Sequence, residues 1–349
     1  MRLLGAADPA ARPRNWADWQ DTLNWFDSQR SALMAGLSAA VEEGFDSVAL
    51  ELSFALEGYL ESRQLYAEML DVAVVAAAAA DRLADRTGEG RALIWQGIAL
   101  FRLGRFQDAL TASEQAIVIF RATGDRNDEA EALSYASPAL GNVGRNDEAL
   151  ASGREAAAIY QETGNRHGVG NAMVNLTYIL IGQRLLTDAI VAGQGAVAAF
   201  RETADLHREG EALGVLGLAR FKLEQIDEAV ATLTDSVRCY RDFGDLAGRA
   251  FMLRNLADVL KRDRPGEASA ALREAAGISR QIGDSRREAE SLYELGAALS
   301  KAQSLREAGD AFHSAAVIFG EIGDKEREAK AKAQAKAKAQ AKSGRRWRL

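Results

Sequence analysis

One cysteine, Cys239, is all the sequence contains, which excludes an intramolecular disulfide as a source of stability. Proline is scarce at 4 residues in 349, and aromatic residues make up only 7%. That balance disfavours sheets and favours uninterrupted, closely packed helices, so essentially no strand is expected. Long apolar runs are missing as well. The most apolar stretch, Val72 to Ala80, is bounded by Asp71 and Asp81 and falls far short of the roughly 20 residues that cross a bilayer; it reads as a tightly packed helix. Met1 to Pro9 lack a basic segment followed by an apolar run. Together with the single thiol, this points to a cytoplasmic location.

What the sequence has in abundance is repetition. A motif F/Y-R-x-T-G-D, or a close variant, recurs from Phe120 to Asp125, Tyr160 to Asn165, Phe200 to Asp205 and Tyr240 to Asp245, then as Gly283-Asp284 and Gly323-Asp324. Positions 124, 164, 204 and 244 are spaced by 40 residues, so one supersecondary unit is being copied and the chain reads as a helical solenoid. Such an array reaches this length without one large core, because each unit packs only on its neighbours.

Residues 127 to 164 serve as the type unit. Ala130, Leu133, Ala136 and Leu140 lie at helical spacing before the breaker Gly144, and this run is helix A. Ala149, Leu150, Ala156, Ala157 and Tyr160 form a second stripe ending at Thr163-Gly164, helix B. The two make an antiparallel hairpin. Small residues mark the crossings: Ala109, Ala149, Ala189, Ala229, Ala268 and Ala308 share one helix-B position, and Ala116, Ala156, Ala196, Ala275 and Ala315 recur seven residues later. Gly97, Gly217 and Gly296 do the same on helix A, since bulk there would push helices beyond the usual 8 to 10 Å or so.

With these positions set out, residues from about 89 to 324 resemble six tetratricopeptide (TPR) repeats of a long, roughly 40-residue type. Their G-D/N junction and G-R-x-x-E-A-L turn are similar to the TPR sensor region of actinomycete regulators of the STAND-ATPase and antibiotic-regulatory kind. Trp25 to Leu33 resembles the helix that precedes those arrays. The resemblance implies an all-α fold, a right-handed TPR superhelix of about seven hairpins with an N-terminal cap and a basic C-terminal helix. It does not extend to nucleotide hydrolysis, because no G-x-x-x-x-G-K-[ST] loop is present. Arg184 and Glu224 stand where other turns have glycine, and the turn from Arg262 to Gly266 is irregular, so tilted repeats are expected there.

The expected organisation is a cap region over 1–45, a degenerate first hairpin over 46–88, six repeats over 89–324 and an arm over 325–349. Trp16, Trp19, Leu23, Phe26, Leu33, Leu37 and Ala40 form an amphipathic pattern, read as a cap helix or as an aromatic docking patch. The arm carries ten Lys or Arg against Glu326 and Glu328, a balance of +8 that leaves −15 on the remainder of a chain whose total is −7. It reads either as a solvated extension of the last helix or as a polybasic arm for nucleic acid or an anionic surface, with Arg345, Arg346, Trp347 and Arg348 at its end.

No catalytic cluster is visible, so an enzyme is not expected and neither is a cofactor. His167 and His207 occupy one register point in adjacent repeats, yet a metal would need two further ligands. A peptide-regulated TPR phosphatase lacks an assignable catalytic cluster. The TPR resemblance instead implies a binding groove lined by helix A. It projects Arg91, Trp95, Arg102, Tyr135, Asn142, Asn171, Asn175, Tyr178, Lys222, Arg254, Asn255, Lys261, Arg262, Tyr293 and Lys301 towards that groove. Aromatic, amide and basic groups there would suit a protein or peptide ligand with acidic groups. Asn175 and Asn255 could equally tie helices together, and Tyr135 and Tyr178 could fill gaps between hairpins. The functional expectation is a peptide-binding scaffold or sensor in bacterial signalling or transcriptional regulation, with an upstream ATPase or DNA-binding module as a possible partner. The alternative is an adaptor acting through the basic arm.

Overall fold

The structure is a computed structural model that describes residues 19–346, with side chains described for 21–340. Trp16, Trp347 and Arg348, and the side chains of Trp19, Arg345 and Arg346, lie outside the described residues. Among the described residues there are sixteen helices and no strand. They are α1 (Trp19–Glu42), α2 (Asp46–Ser62), α3 (Tyr66–Arg82), α4 (Arg86–Arg102), α5 (Phe106–Thr123), α6 (Arg126–Asn142), α7 (Asn146–Glu162), α8 (Arg166–Gly182), α9 (Leu186–Glu202), α10 (Leu206–Lys222), α11 (Ile226–Phe243), α12 (Leu246–Leu260), α13 (Pro265–Gln281), α14 (Ser285–Lys301), α15 (Leu305–Glu321) and α16 (Lys325–Arg346). The chain divides into two compact units, Met1–Ile179 and Leu180–Leu349, with the division inside α8.

In the first unit, α2–α3, α4–α5 and α6–α7 are hairpins stacked in chain order. The helix ends explain the hairpins. After α4, the Gly104 amide donates to the Phe101 carbonyl and the Arg105 amide to the Leu100 carbonyl, a closure that needs a left-handed residue, and Gly104 has φ of 77°. Gln64 and Ala84 adopt the same conformation without being glycine, at φ of 56°. The crossings are filled by small side chains: Ala109, Ala116, Ala149 and Ala156 are fully buried. A Cβ on Gly97 would lie 3.0 Å from the Ser113 hydroxyl.

α1 lies on α2, with Leu23, Leu37 and Ala40 buried. Phe26 stacks on Tyr59 at 5.0 Å, and the Tyr59 hydroxyl donates to Asp27 at 2.9 Å. Arg63 also pairs with Asp27, holding its carboxyl below the usual range, while Arg30 of α1 pairs with Glu68 of α3. α3 contains the apolar Val72 to Ala80 stretch, whose Val72, Ala73, Ala76, Ala79 and Ala80 are buried. No described helix is long and apolar enough to cross a membrane.

The second unit repeats the plan with hairpins α10–α11, α12–α13 and α14–α15, preceded by α9 and followed by α16. Arg184, Glu224, Ala204 and Gln303 take the left-handed turn position with φ between 54° and 63°. The turn after α12 is built differently, without any residue of positive φ. Pro265 locks the first position of α13 and forces Arg264 to an extended φ of −130°, and the Arg264 amide donates to Leu260 at 2.8 Å. α12 is correspondingly short at 15 residues. α16 does not extend α15: a turn at Gly323 (φ 79°) separates them, and α16 packs back along α15 with Ala331 buried.

The repeated junction motif has a packing role. Tyr240 lies between two A helices, since a Cβ on Gly210 of α10 would meet its ring at 3.1 Å and one on Gly248 of α12 at 2.5 Å. Phe120 and Phe200 at equivalent positions are fully buried. The arginine after the aromatic reaches a glutamate of the next helix A at two junctions, Arg121 to Glu129 at 2.7 Å and Arg201 to Glu209 at 2.6 Å, and Arg280, which follows Ser279, makes the same contact to Glu288 at 2.7 Å. Cys239 is buried and burial pushes its thiol up, which describes an inert packed side chain.

Candidate functional site

In the first unit, Arg91 and Trp95 lie one helical turn apart on α4 and line a common cavity of about 310 Å³ with Glu57, Ile94, Asp128 and Glu131. The Trp95 ring meets Phe54 of α2 edge-on at 4.7 Å. Arg91 Nε donates to Asp128 at 2.9 Å, so its charge is partly committed. Burial is the main cause that pushes the Glu57 carboxyl up to about 8, with Glu131 and Glu61 adding repulsion. Burial likewise raises Glu131 to about 7, with Asp128 adding to it. This wall is acidic and aromatic.

The other residues projected onto a groove in this unit are dispersed. Asn175 ties α8 to α6, donating to the carbonyl and the hydroxyl of Ser134 at 3.1 Å each. Asn171 is 3.3 Å from the His167 ring on its own helix, and Asn142 donates to the Pro138 carbonyl at 2.9 Å. Tyr135 is half-buried, Tyr178 is 50% exposed, and Arg102 is exposed in the last turn of α4.

The second unit brings together two subsets. Arg254 of α12 and Tyr293 of α14 line a cavity of about 440 Å³ with Glu290, Glu294, Phe319 and Arg327. Arg254 spans Glu290 at 3.0 Å and Glu294 at 2.8 Å, and Arg327 reaches Glu290 at 2.6 Å, so these charges satisfy one another. Tyr293 packs edge-on to Phe312 at 5.2 Å. Beside it, Lys261 and Lys301 line a smaller cavity of about 270 Å³ with Asp258 and Glu294, and Lys261 bonds Asp258 at 2.7 Å. Arg262 is 90% exposed in the turn, Lys222 is exposed at the end of α10, and Asn255 faces the Met252 sulfur at 3.9 Å.

The acidic partners in both cavities are absent from the sequence projection. Glu131 falls at the same repeat position as Arg91 and Asn171, so the 40-residue register itself points to it. Glu57 carries a weaker signal: it stands forty residues before Gly97, in a hairpin that has lost the close-packing glycine. Of the histidines, His207 faces Asp245 at 3.3 Å and packs against Tyr240 and Phe243, and Asp245 also caps α12 by accepting from the Gly248 amide. That hydrogen bond to His207 is the main cause holding the Asp245 carboxyl below its usual value. Among the described residues no group of His, Cys, Asp and Glu is arranged to hold a metal ion.

No family model matches the chain, and no curated protein matches it. Solved structures do. The chain is similar to a STAND protein with a tetratricopeptide repeat sensor from Pyrococcus horikoshii, at TM-score 0.56 and 15% identity over 91% of this chain, and it spans about half (51%) of that protein. It is also similar to BtubC from P. vanneervenii, at TM-score 0.55 and 18% identity, over 62% of this chain and 92% of that one. A Rap protein complexed with competence and sporulation factor matches at TM-score 0.51 and 13% identity, over 90% and 98% of the two chains. At these identities the likeness defines the fold, which is that of tetratricopeptide-repeat proteins.

Proposed function

We propose that the chain is a non-enzymatic binding module of a bacterial regulatory or signalling system, holding a peptide segment of another protein against its A-helix faces. The observation that supports this reading is the pair of open cavities at those faces, each lined by an aromatic and an arginine from the projected set, Trp95 with Arg91 and Tyr293 with Arg254. Aromatic and arginine side chains are the groups that most often anchor a partner. The fold points the same way, since one solved likeness is a sensor and another holds a signalling factor. On this reading occupancy biases the packing of neighbouring hairpins and is read out in the cytoplasm by a partner such as an ATPase or a DNA-binding module.

Selection of random displayed peptides on the full chain tests the proposal. Enriched peptides are expected to lose roughly tenfold in affinity when Tyr178→Ala, or Lys261→Ala with Lys301→Ala, is introduced, with helicity retained. Absence of enrichment, or affinity indifferent to these exposed positions, rejects the groove.

A second reading rests on α16, whose lysines at 336 and 338 are not engaged by the glutamates that hold Lys325, Lys330 and Lys332 near its start. Binding of a polyanion through this helix would fall steeply with salt. Because α16 covers α15, the informative variant is Lys332→Gln with Lys336→Gln and Lys338→Gln rather than a truncation. Unchanged polyanion binding in that variant rejects this role.

A further inference from the structure

Glu57 of α2 and Glu131 of α6 line one cavity from two helices, and among the described residues neither carboxylate has a hydrogen bond or an ion pair. Both are half-buried, and the acids that are almost wholly buried in this protein are treated differently. Glu129, 2% exposed, holds Arg121 at 2.7 Å and Arg126 at 2.5 Å, and Glu288 holds Arg280 at 2.7 Å. A carboxylate removed from water needs such a partner, because desolvation of an isolated charge costs several kcal/mol or so. The one cation lining the cavity, Arg91, gives its Nε to Asp128. Glu61 and Asp128 add further negative charge, and the neighbouring Tyr135 and Tyr160 carry no positive charge. The two carboxyls, raised to about 8 and about 7, therefore share a site whose one lining cation, Arg91, lowers both without offsetting their burial and is hydrogen-bonded to Asp128 rather than to either of them.

We propose that this cavity binds one organic cation, the guanidinium or ammonium group of an arginine or lysine side chain carried on a peptide. The inference rests on the peptide-binding reading above and specifies the chemistry of its first-unit site, with a charge opposite to the acidic ligand expected from the basic groups in the sequence. Trp95 supplies the aromatic wall, and its ring is fixed by the edge-on contact with Phe54. A cation over such a face gains about 1 to 2 kcal/mol when water is excluded, and an ion pair with two carboxylates adds to it. A volume of about 310 Å³ lies at the small end of ligand sites, which span roughly 300 to 1,000 Å³, and suits one extended side chain. An inorganic ion is disfavoured because the described acids do not converge as metal ligands.

Titration calorimetry of the full chain tests this with four probes: Nα-acetyl-arginine N-methylamide, its lysine counterpart, the uncharged citrulline counterpart, and free agmatine. The capped cations should bind and capped citrulline should not. At about pH 6 binding should release about one to two protons, read from the dependence of the heat on buffer ionisation enthalpy, because both carboxyls are protonated there and the arriving cation favours their ionised forms. Glu57→Gln with Glu131→Gln, shown by circular dichroism to remain helical, should weaken binding by about tenfold or more and abolish proton release. Failure of every cation at millimolar concentration, equal affinity in the double variant, or binding without proton release overturns the proposal. Agmatine binding far more tightly than the capped residues overturns the peptide-borne source. Selected peptides that still bind when the capped cations fail leave the general peptide-binding reading intact and remove this one alone.

Discussion

Arg121, in the last turn of α5, lies 2.7 Å from Glu129 in the first turn of α6, and the same pairing recurs eighty residues further on between Arg201 and Glu209. Each pair joins the end of one hairpin to the start of the next, and Glu129 is almost wholly buried beneath it. Arg121→Ala should therefore destabilise the first unit by about 1 to 2 kcal/mol, moderated by Arg126, which stays at 2.5 Å. Urea unfolding followed by circular dichroism measures it. A loss no greater than for the exposed Arg102→Ala contradicts the role assigned to the pair.

The aromatic of the junction motif makes a second expectation. Gly248→Ala places a Cβ 2.5 Å from the Tyr240 ring, and the ring is closed in from the other side by Gly210. Despite the gain in helix propensity from alanine, the variant should lose about 1 to 2 kcal/mol. Pairing it with Tyr240→Leu should recover part of that loss in a double-mutant cycle, since one of the two clashes is with the ring and the other is with the Asp245 carboxylate at 2.6 Å.

Left-handed turn positions predict changes of opposite sign. Ala204 is held at φ of 54°, where a Cβ is strained, while Gly244 occupies the equivalent place at φ of 91°. Ala204→Gly should raise stability by roughly 0.5 to 1 kcal/mol and Gly244→Ala should lower it by a similar amount. Thermal melts of the two variants check the sign directly.

The unpaired carboxyls give a pH dependence. Glu57 and Glu131 are raised above their unfolded value of 4.5, to about 8 and about 7. The folded state then holds protons that the unfolded chain gives up, so the contribution is fully present below about pH 4.5 and is lost as pH rises through 7 and 8. Between pH 5 and pH 8.5 the wild-type chain should lose several kcal/mol, at most about 6, that Glu57→Gln with Glu131→Gln does not lose. Parallel slopes of stability against pH for the two proteins rule out the assignment.

Much of this architecture is legible in the chain because its determinants are local. Glycine at 104, 124, 144 and 164 marks turns by backbone conformation alone, and alanine at 109, 149, 189 and 229 marks crossings by size alone. The F/Y-R element is legible as a repeat, but its meaning is not, because Tyr240 and Arg121 act on residues of the next helix. The projected groove shows the same limit. Arg254 reads as an available cation, yet two glutamates of α14 engage it, and Asn175 reads as a peptide donor, yet its amide donates to Ser134.

By itself, the sequence determined the class of structure: a 40-residue period of small residues and turn formers admits helical hairpins and little else, since periodicity and backbone preference act within a few residues of one another. Which charges are answered and which are left over was decided only by tertiary packing. Glu129 and Glu131 are two residues apart on one helix, and nothing local separates them. One faces Arg121 and Arg126 at a hairpin junction, the other a cavity shared with Glu57, because residues two apart on an α-helix point to different sides and so meet different neighbours.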